Sequence, residues 1–286
     1  MKGTSLTVFA WRNLWRNRRR TLLTLASIAF GVFLAVLMTA MQDRNWADMI
    51  DLAAKVGAGH ATIQHPEYLD TPTLSRTVTG TDELIATALA TPHVTRSVAR
   101  ISGPAMLATA NDSFGAGFVA IDPEAESAET LSVLEAVSEG EMFETANDRG
   151  IILGARLAYN LGAELGDRVV YTMTDRQGEM VSGVARLRAL VETGAPTVDA
   201  GLSLLPIGTL REVLGYQPDE ATQVAVFIDD QRRSSQVAAA LQEQLGDGVT
   251  AAPWHQLQPE LSAFVAMKVG GAIFMEIVLA ILVAAG

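Results

Sequence analysis

Residues 21–42 read TLLTLASIAFGVFLAVLMTAMQ, and this run of twenty-two uncharged residues decides the fold. As a helix rising about 1.5 Å per residue, it would cover about 33 Å. The hydrocarbon core of a bilayer is about 30 Å thick, so the run predicts a transmembrane helix. A second apolar run begins near Ala263 and continues to Gly286. We therefore predict a membrane protein with a domain between two spans, and we expect the second span to be incomplete.

Basic residues before the first span indicate its orientation. Lys2 and five arginines precede residue 21 with no acidic residue among them, and the arginines are Arg12, Arg16, Arg18, Arg19 and Arg20. An excess of Lys and Arg marks the cytoplasmic side of a membrane. We therefore predict a bacterial inner-membrane protein with a cytoplasmic N-terminus and a periplasmic central domain. A cleaved signal peptide is the alternative, although its apolar region would be shorter, about 7–15 residues.

Residues 7–17, TVFAWRNLWRN, have the pattern of an amphipathic helix. At about 100° per residue, Trp11 and Trp15 fall on one side, and Arg12 and Arg16 on the other. This arrangement suits a helix lying in the membrane–water interface. We predict that residues 1–20 form a cytoplasmic interfacial helix that places the spans. It is either a plain topology anchor or also a specific site for a lipid or a partner.

Composition limits what the central domain, predicted at residues 43–262, can bind. The formal net charge of the whole chain is −11, and six of its 21 Lys and Arg precede the first span, so the domain is more acidic still. Phosphate backbones need clustered cations, which argues against a nucleic-acid partner. The chain has no cysteine and hence neither a disulfide nor a thiolate metal site.

Hydrophobic periodicity and turn signals predict an α+β domain. We predict helices at residues 81–90, 122–137, 208–214 and 233–245. Strands are predicted at residues 60–64, 94–100, 105–110, 117–121 and 222–229. Residues 150–175 indicate a strand, a short helix, a glycine stop, a tight turn and a second strand, which pairs with residues 180–191 as a hairpin.

The sequence offers no recognisable catalytic, cofactor-binding or metal site, and we predict that the chain is not an enzyme. Its three lysines are followed by Gly or Val, so there is no P-loop, which needs Gly-Lys-Ser or Gly-Lys-Thr. The histidines are expected to be surface or internally satisfied residues, because a metal site needs three or four convergent ligands; they are His60, His65, His93 and His255.

The second apolar run, residues 263–286, carries small residues and one carboxylate. Gly270 and Gly271 favour close helix–helix packing. Glu276 is an ionisable residue within an apolar segment, which is costly in a membrane and suggests a role. The alternative is that Glu276 faces water or a helix bundle near the outer leaflet. We predict that Gly270, Gly271 and Glu276 lie where spans pack together.

Several segments, in order along the whole chain, resemble the permease subunits of lipoprotein-releasing and macrolide-exporting ABC transporters, the MacB/LolC/FtsX type. The lipoprotein-releasing branch is the most similar. The segments that carry the resemblance are residues 10–17 with 19–21, residues 59–63 with Pro66 and Tyr68, residues 153–158 with 161–162 and 166–167, residues 191–194 with Asp199, and Trp254.

This resemblance implies a permease that couples ATP hydrolysis in the cytoplasm to motion of a periplasmic domain. The implied partners are a dimer of ATP-binding subunits, a second permease copy or paralogue, membrane lipids, and a lipoprotein or hydrophobic substrate. Family permeases carry four spans, whereas this sequence stops within its second, and Glu276 departs from their usually apolar span. A two-span sensory receptor is the alternative function, and a membrane-tethered hydrolase is a third.

The interfacial helix can be tested by removing its aromatic side. We expect Trp11→Ala with Trp15→Ala to impair placement of the first span and ATP-coupled export, because interfacial Trp residues anchor a helix at the membrane surface. Membrane insertion and export by the full permease measure the effect, and Asn13→Ala with Asn17→Ala on the opposite side is the matched control. Normal insertion and full export by the double Trp variant would contradict the prediction.

Overall fold

The structure, a computed structural model, describes residues 15–285, without the side chain of Trp15 and those of some residues from Ala272 onward. The chain divides into two compact units. One comprises Met1–Met49 and Glu260–Gly286, and the other is Ile50–Pro259. Trp11 and Arg12 of the predicted interfacial helix lie outside the described residues.

The first unit contains most of the two long apolar helices. A short 3-10 helix, Trp15–Asn17, leads into helix α1, Arg18–Val56, which is 39 residues long. The last helix, α8, is Pro259–Ala285. Within the described residues, α1 alone is long and apolar enough to cross a membrane, with a mean hydropathy of 2.3 in a window that has no buried residue. Trp46 of α1 meets Phe264 of α8 edge to face, with ring centroids 6.0 Å apart.

The second unit is a mixed domain, so the predicted α+β class is confirmed. Its strands in the described residues are Ala61–Gln64 (β1), Val94–Ala108 (β2), Ser113–Ile121 (β3), Val137–Gly140 (β4), Gly150–Gly154 (β5), Arg168–Thr174 (β6), Met180–Val191 (β7), Leu202–Pro206 (β8), Gln223–Ile228 (β9) and Thr250–Pro253 (β10). Its helices are Thr81–Ala90 (α2), Ala155–Leu161 (α3), Pro196–Asp199 (α4), Ile207–Leu214 (α5), Ser234–Gln242 (α6) and Trp254–Leu257 (α7).

Strand β2 belongs to two sheets. Its first half pairs with β9, and β9 continues through β1 to β10. Its second half pairs with β3 on one edge and β6 on the other. The further pairings of β3 with β8, β8 with β5, β5 with β7 and β7 with β6 close a ring that begins and ends at β2. The domain is therefore a small β-barrel joined to a second sheet through one shared strand.

The barrel interior holds the largest apolar core. Alternate residues of the strands point into it, including Leu107, Phe118, Leu153 and Val169, and helices α3 and α5 add Leu157 and Leu210. On the outer face of β5, β8 and the end of β7, a second cluster is covered by the segment that contains Leu131, Val133 and Phe143. A third cluster lies between the second sheet and helices α2 and α6.

Two predicted features of the sequence are wrong. The strands predicted separately at residues 94–100 and 105–110 form one continuous strand, β2, from Val94 to Ala108. Pro104 is tolerated there because β2 changes partner between Arg100, which pairs with β9, and Met106, which pairs with β6. On the edge of β2 that faces β9 and then β6, no strand is therefore paired with Pro104, so the N–H that proline lacks is not needed for a hydrogen bond between strands.

The predicted helix at residues 122–137 is also wrong. The segment forms turns, a short 3-10 helix, Ser132–Ala136, and strand β4. The hydroxyl of Thr130 donates to the Glu126 carboxylate and accepts from the Ser127 N–H at 2.9 Å. Such local side-chain bonds compete with helical backbone bonds.

Other elements agree with prediction. Helix α2 has the predicted bounds, and residues 150–174 form strand β5, helix α3 and strand β6. Gly162 ends α3 with a φ of 57°, and Gly166 has a φ of 91° in the following turn. These left-handed conformations favour glycine.

Candidate functional site

The predicted site residues that the structure describes lie on two separate helices and on the short 3-10 helix that leads into the first. Arg16, Arg18, Arg19 and Arg20 are exposed at the start of α1. Gly270 and Gly271 lie in α8, where an added Cβ would meet no atom within 4 Å. Glu276 lies in the same helix, and its side chain is not among those described. The roles assigned to these residues remain predictions.

A different cluster forms where α1 ends inside the mixed domain. Ile50 and Ala54 of α1 are buried, and Val56 packs on the cluster that contains Leu131 and Phe143. The Gly57 and Gly59 N–H groups donate to the carbonyls of Ala53 and Ala54, which closes the last turn. We call Asp51, Lys55, Gly57, His60, Arg100, Glu126 and Thr130 the junction cluster.

Gly59 lets the chain turn from helix α1 into strand β1. Its φ is 86°, and a Cβ there would lie 2.7 Å from the Val226 carbonyl oxygen and 2.8 Å from the Val226 nitrogen. The next residue, His60, donates its N–H to the same carbonyl at 2.9 Å. Any other residue at position 59 would push helix and strand apart.

Arg100 is the centre of the junction cluster. Its side chain has no solvent exposure, and its guanidinium forms a bidentate ion pair with Glu126 at 2.7 and 2.9 Å. The guanidinium also donates to the Thr130 carbonyl at 2.8 Å and to the Gly57 carbonyl just beyond α1. It lies 5.6 Å from the centre of the Phe227 ring. One buried cation therefore holds the end of α1, strand β2 and residues 126–130 together.

His60 makes a second connection to α1. Its Nε2 lies 3.1 Å from Asp51 Oδ1, and Asp51 also pairs with Lys55 at 2.8 Å. Its Nδ1 accepts the Ile228 N–H at 3.4 Å, which assigns the proton to Nε2. Burial at 3% exposure lowers the pKa of His60 below its usual value, against the opposing effect of Asp51. His60 is therefore neutral near pH 7.

The chain leaves the mixed domain beside the place where it enters. The Trp254 N–H donates to the His60 carbonyl at 2.9 Å, and the Gln258 amide donates to the Ala53 carbonyl at 3.3 Å. Gln258, which follows helix α7, therefore contacts the last turns of α1 directly before α8 begins at Pro259. The junction cluster thus gathers the incoming and the outgoing chain on one part of the domain.

The junction cluster holds three separate parts of the chain in fixed positions. Its charges are paired with each other, and the Thr130 hydroxyl donates to the Glu126 carboxylate. Among residues 15–285, no group of three or more His, Asp or Glu side chains is placed to hold a metal ion. An ion pair fully removed from water holds its geometry firmly, because breaking it leaves an uncompensated buried charge.

Sequence reasoning missed this cluster, although one signal was present. Arg100 stands two residues after Val98 in a predicted strand, so both side chains point to the same face. Val98 is buried, and Arg100 is buried beside it. A charged residue at an inward-facing strand position predicts a buried partner, but Glu126 could not be identified because residues 122–137 were predicted as a helix.

Comparisons with known proteins give one family. The sequence model of the MacB-like periplasmic core domain matches residues 21–244. No curated protein matches the chain. The chain is similar to the crystal structure of the periplasmic region of MacB from Actinobacillus actinomycetemcomitans, at 14% identity and a TM-score of 0.49 over 73% of this chain and 94% of that one. It is also similar to the extracellular domain of the noncanonic ABC-type transporter YknZ from Gram-positive bacteria, at 13% identity and a TM-score of 0.45 over 66% and 97%.

The burial of Arg100 predicts a large effect of its removal. Arg100→Met should lower the free energy of unfolding by about 3–5 kcal/mol, because Glu126 is left buried without its partner. The control is Arg96→Met on the same strand, whose pair with Glu129 is exposed and contributes about 0–1 kcal/mol. Urea denaturation of the chain in nanodiscs, followed by fluorescence, measures both. Equal losses in the two variants would contradict the assignment.

The lowered pKa of His60 predicts a pH dependence of stability. In the unfolded chain this histidine binds a proton near pH 6.5, whereas in the folded chain burial opposes protonation. Protonation therefore favours the unfolded chain, so the contribution of His60 to the free energy of unfolding is complete above pH 6.5 and decreases as the pH falls below that value. We expect the thermal midpoint to fall less between pH 6.5 and 5 in His60→Gln than in the wild type. His255→Gln, at a partly exposed position, is the control for the loss of a histidine. An unchanged slope in His60→Gln would refute this role.

Proposed function

Since the chain belongs to the family of the MacB-like periplasmic core domain, we propose that it is a permease subunit of a lipoprotein-releasing or macrolide-exporting type of ABC transporter. Permeases of this kind work with cytoplasmic ATP-binding subunits and are not themselves enzymes. In this proposal a dimer of such subunits hydrolyses ATP, and the permease converts the resulting motion into extraction or export of a substrate on the other side of the membrane.

The proposed location is the inner membrane of a bacterium. The apolar part of α1 has the length and hydropathy of a span. The arginines before it favour a cytoplasmic N-terminus, with the mixed domain in the periplasm. Two membrane spans, residues 21–42 and 263–286, would flank the domain.

The observation that carries the proposal is the continuity of helix α1 and the fixation of its end. The helix is uninterrupted from Arg18 to Val56, and its last turns are bound through Gly57, Arg100 and His60. An uninterrupted helix resists bending because backbone hydrogen bonds join each residue to the one four positions earlier. A displacement of α1 in the membrane would therefore reach strands β1 and β2 through buried bonds, which is the proposed mechanical coupling.

The proposed partners follow from the long helices and the acidic domain. A second permease copy or a paralogue would pack on α8, where Gly270 and Gly271 leave room for a neighbouring helix. Glu276 would lie in that packing region. Membrane lipids would bind the interfacial helix, and the cargo would be a lipid-anchored or hydrophobic molecule. Nucleic acid is not among the proposed partners.

The experiment is to co-express the permease gene with candidate ATP-binding subunits and purify by a tag on the permease. We expect an ATP-binding subunit to co-purify and to hydrolyse ATP faster in the complex in nanodiscs than alone. Arg100→Met should retain co-purification but weaken the coupling of ATP hydrolysis to export. Arg96→Met should retain both the co-purification and the coupling.

The alternative sensory receptor gives the opposite outcome. A receptor would co-purify with no ATP-binding transport subunit, and a ligand in the periplasm would change the activity of a cytoplasmic kinase or methyl-accepting module. Absence of any ATPase partner would therefore refute the permease function.

A further inference from the structure

The outer face of the barrel is bare over part of β2, β6 and β7. The apolar residues on it are Met106, Val170, Met180 and Val184, with exposures of 50%, 37%, 79% and 58%. Cross-strand register places Val170 opposite Val184, whereas Met106 is opposite Thr172 and Met180 is opposite Thr174. We call this surface the outer strip. Large apolar side chains grouped on one exposed face of a sheet favour an interaction site.

Polar groups within the outer strip are already satisfied. Thr172 Oγ1 and Ser182 Oγ lie 2.8 Å apart in a hydrogen bond with each other. The neighbouring strand β3 adds only Ser113, Gly115 and Gly117 to the same face, so no large side chain bounds Met106 on that side. A ligand on the outer strip therefore needs to form few hydrogen bonds with it.

One end of the outer strip carries two arginines that face each other. Arg168 and Arg186 are directly opposite in the β6–β7 register, and both are exposed. Arg186 donates to the Gly166 carbonyl at 3.1 Å. In residues 15–285 no carboxylate forms an ion pair with either one, although the chain as a whole is acidic. Like charges directly opposite in a sheet are destabilising unless an anion lies between them.

The other end of the outer strip opens into a cleft of about 280 Å³. Pro104 and Thr174 belong to both, because Pro104 lies two residues before Met106 and Thr174 lies opposite Met180. The cleft is also lined by Pro72, Thr73, Leu74, Ser75, Asp175 and Gly178. At about 3.4 Å per residue, the distance from Arg168 to Thr174 along β6 is about 20 Å.

We propose that the outer strip binds an amphiphile with one anionic headgroup and one hydrocarbon chain. Arg168 and Arg186 hold the anionic group, as paired guanidinium groups do for phosphates and carboxylates. The chain lies along the outer strip, and its end enters the cleft at Pro104. Charge complementarity selects this occupant, since two exposed arginines stand next to apolar surface, and among residues 15–285 neither forms an ion pair with a carboxylate.

The proposed ligand is a class of cargo for the proposed transporter. Its role as cargo rests on the proposed function, whereas its binding to the outer strip does not. Binding itself requires neither ATP nor the partner subunits. The chain has no cysteine, so Ser182→Cys creates a single labelling position in the middle of the outer strip. The full chain carrying an environment-sensitive fluorophore there is placed in phosphatidylcholine nanodiscs.

The probes are dodecyl phosphate, neutral dodecyl maltoside and inorganic phosphate. We expect dodecyl phosphate to give a saturable blue shift of the label. Arg168→Gln with Arg186→Gln should weaken this response at least tenfold, and it removes a repulsive pair, so folding is retained. Arg156→Gln, at an exposed arginine on α3, is the matched control and should titrate like the parent. Partition of the probe into the lipid is the same for every variant.

Three outcomes would overturn the proposal. They are an unchanged titration in the double arginine variant, an equal response to dodecyl maltoside, and an equal response to inorganic phosphate alone. The last would mean that the arginines bind free anions without any use of the apolar surface. A saturable shift lost in the double variant supports the site even if no transport is ever coupled to it, so the two proposals fail separately.

Discussion

The buried ion pair between Arg100 and Glu126 is the constraint on which the rest of the domain depends. A charge removed from water must be fully paired, and here the pairing uses the Gly57 and Thr130 carbonyls as well as the Glu126 carboxylate. Three distant parts of the chain are thereby brought to one guanidinium. The same requirement explains why residues 122–137 are not a helix, since Glu126 must point inward and Thr130 must present its carbonyl to Arg100.

Strand β2 transmits this constraint across the domain. Arg100 lies where the first half of β2, paired with β9, gives way to the second half, which enters the barrel. The end of α1 is therefore bound close to the only strand that the two sheets share among the described residues. A displacement at Gly57 acts on both sheets at once, whereas a junction on any other strand would act on one of them.

The sequence predicted local elements better than long-range ones. The apolar run at residues 21–42, helix α2 and the β6–β7 hairpin follow from periodicity and turn residues, which are local. The separate strands predicted at residues 94–100 and 105–110 and the helix predicted at residues 122–137 were wrong. The partners that determine these segments, β6, β9 and Arg100, are distant from them in sequence. The junction cluster could not be predicted for the same reason. Arg100 could be recognised in the sequence as a charge at an inward-facing strand position, but nothing in the sequence identified Glu126 or Gly57 as its partners.

The pairing of the first strand with the last has a consequence for biosynthesis. Ala61 of β1 pairs with Pro253 of β10, and Val226 of β9 flanks β1 on its other side. Strand β1 emerges early from the ribosome but has no partner until nearly all of the domain has been made. During that time its backbone groups are open to wrong pairing, a hazard of unpaired strand edges. Adjacent ends also make the domain a self-contained insert, which a membrane protein can acquire or lose between two helices without rearranging either.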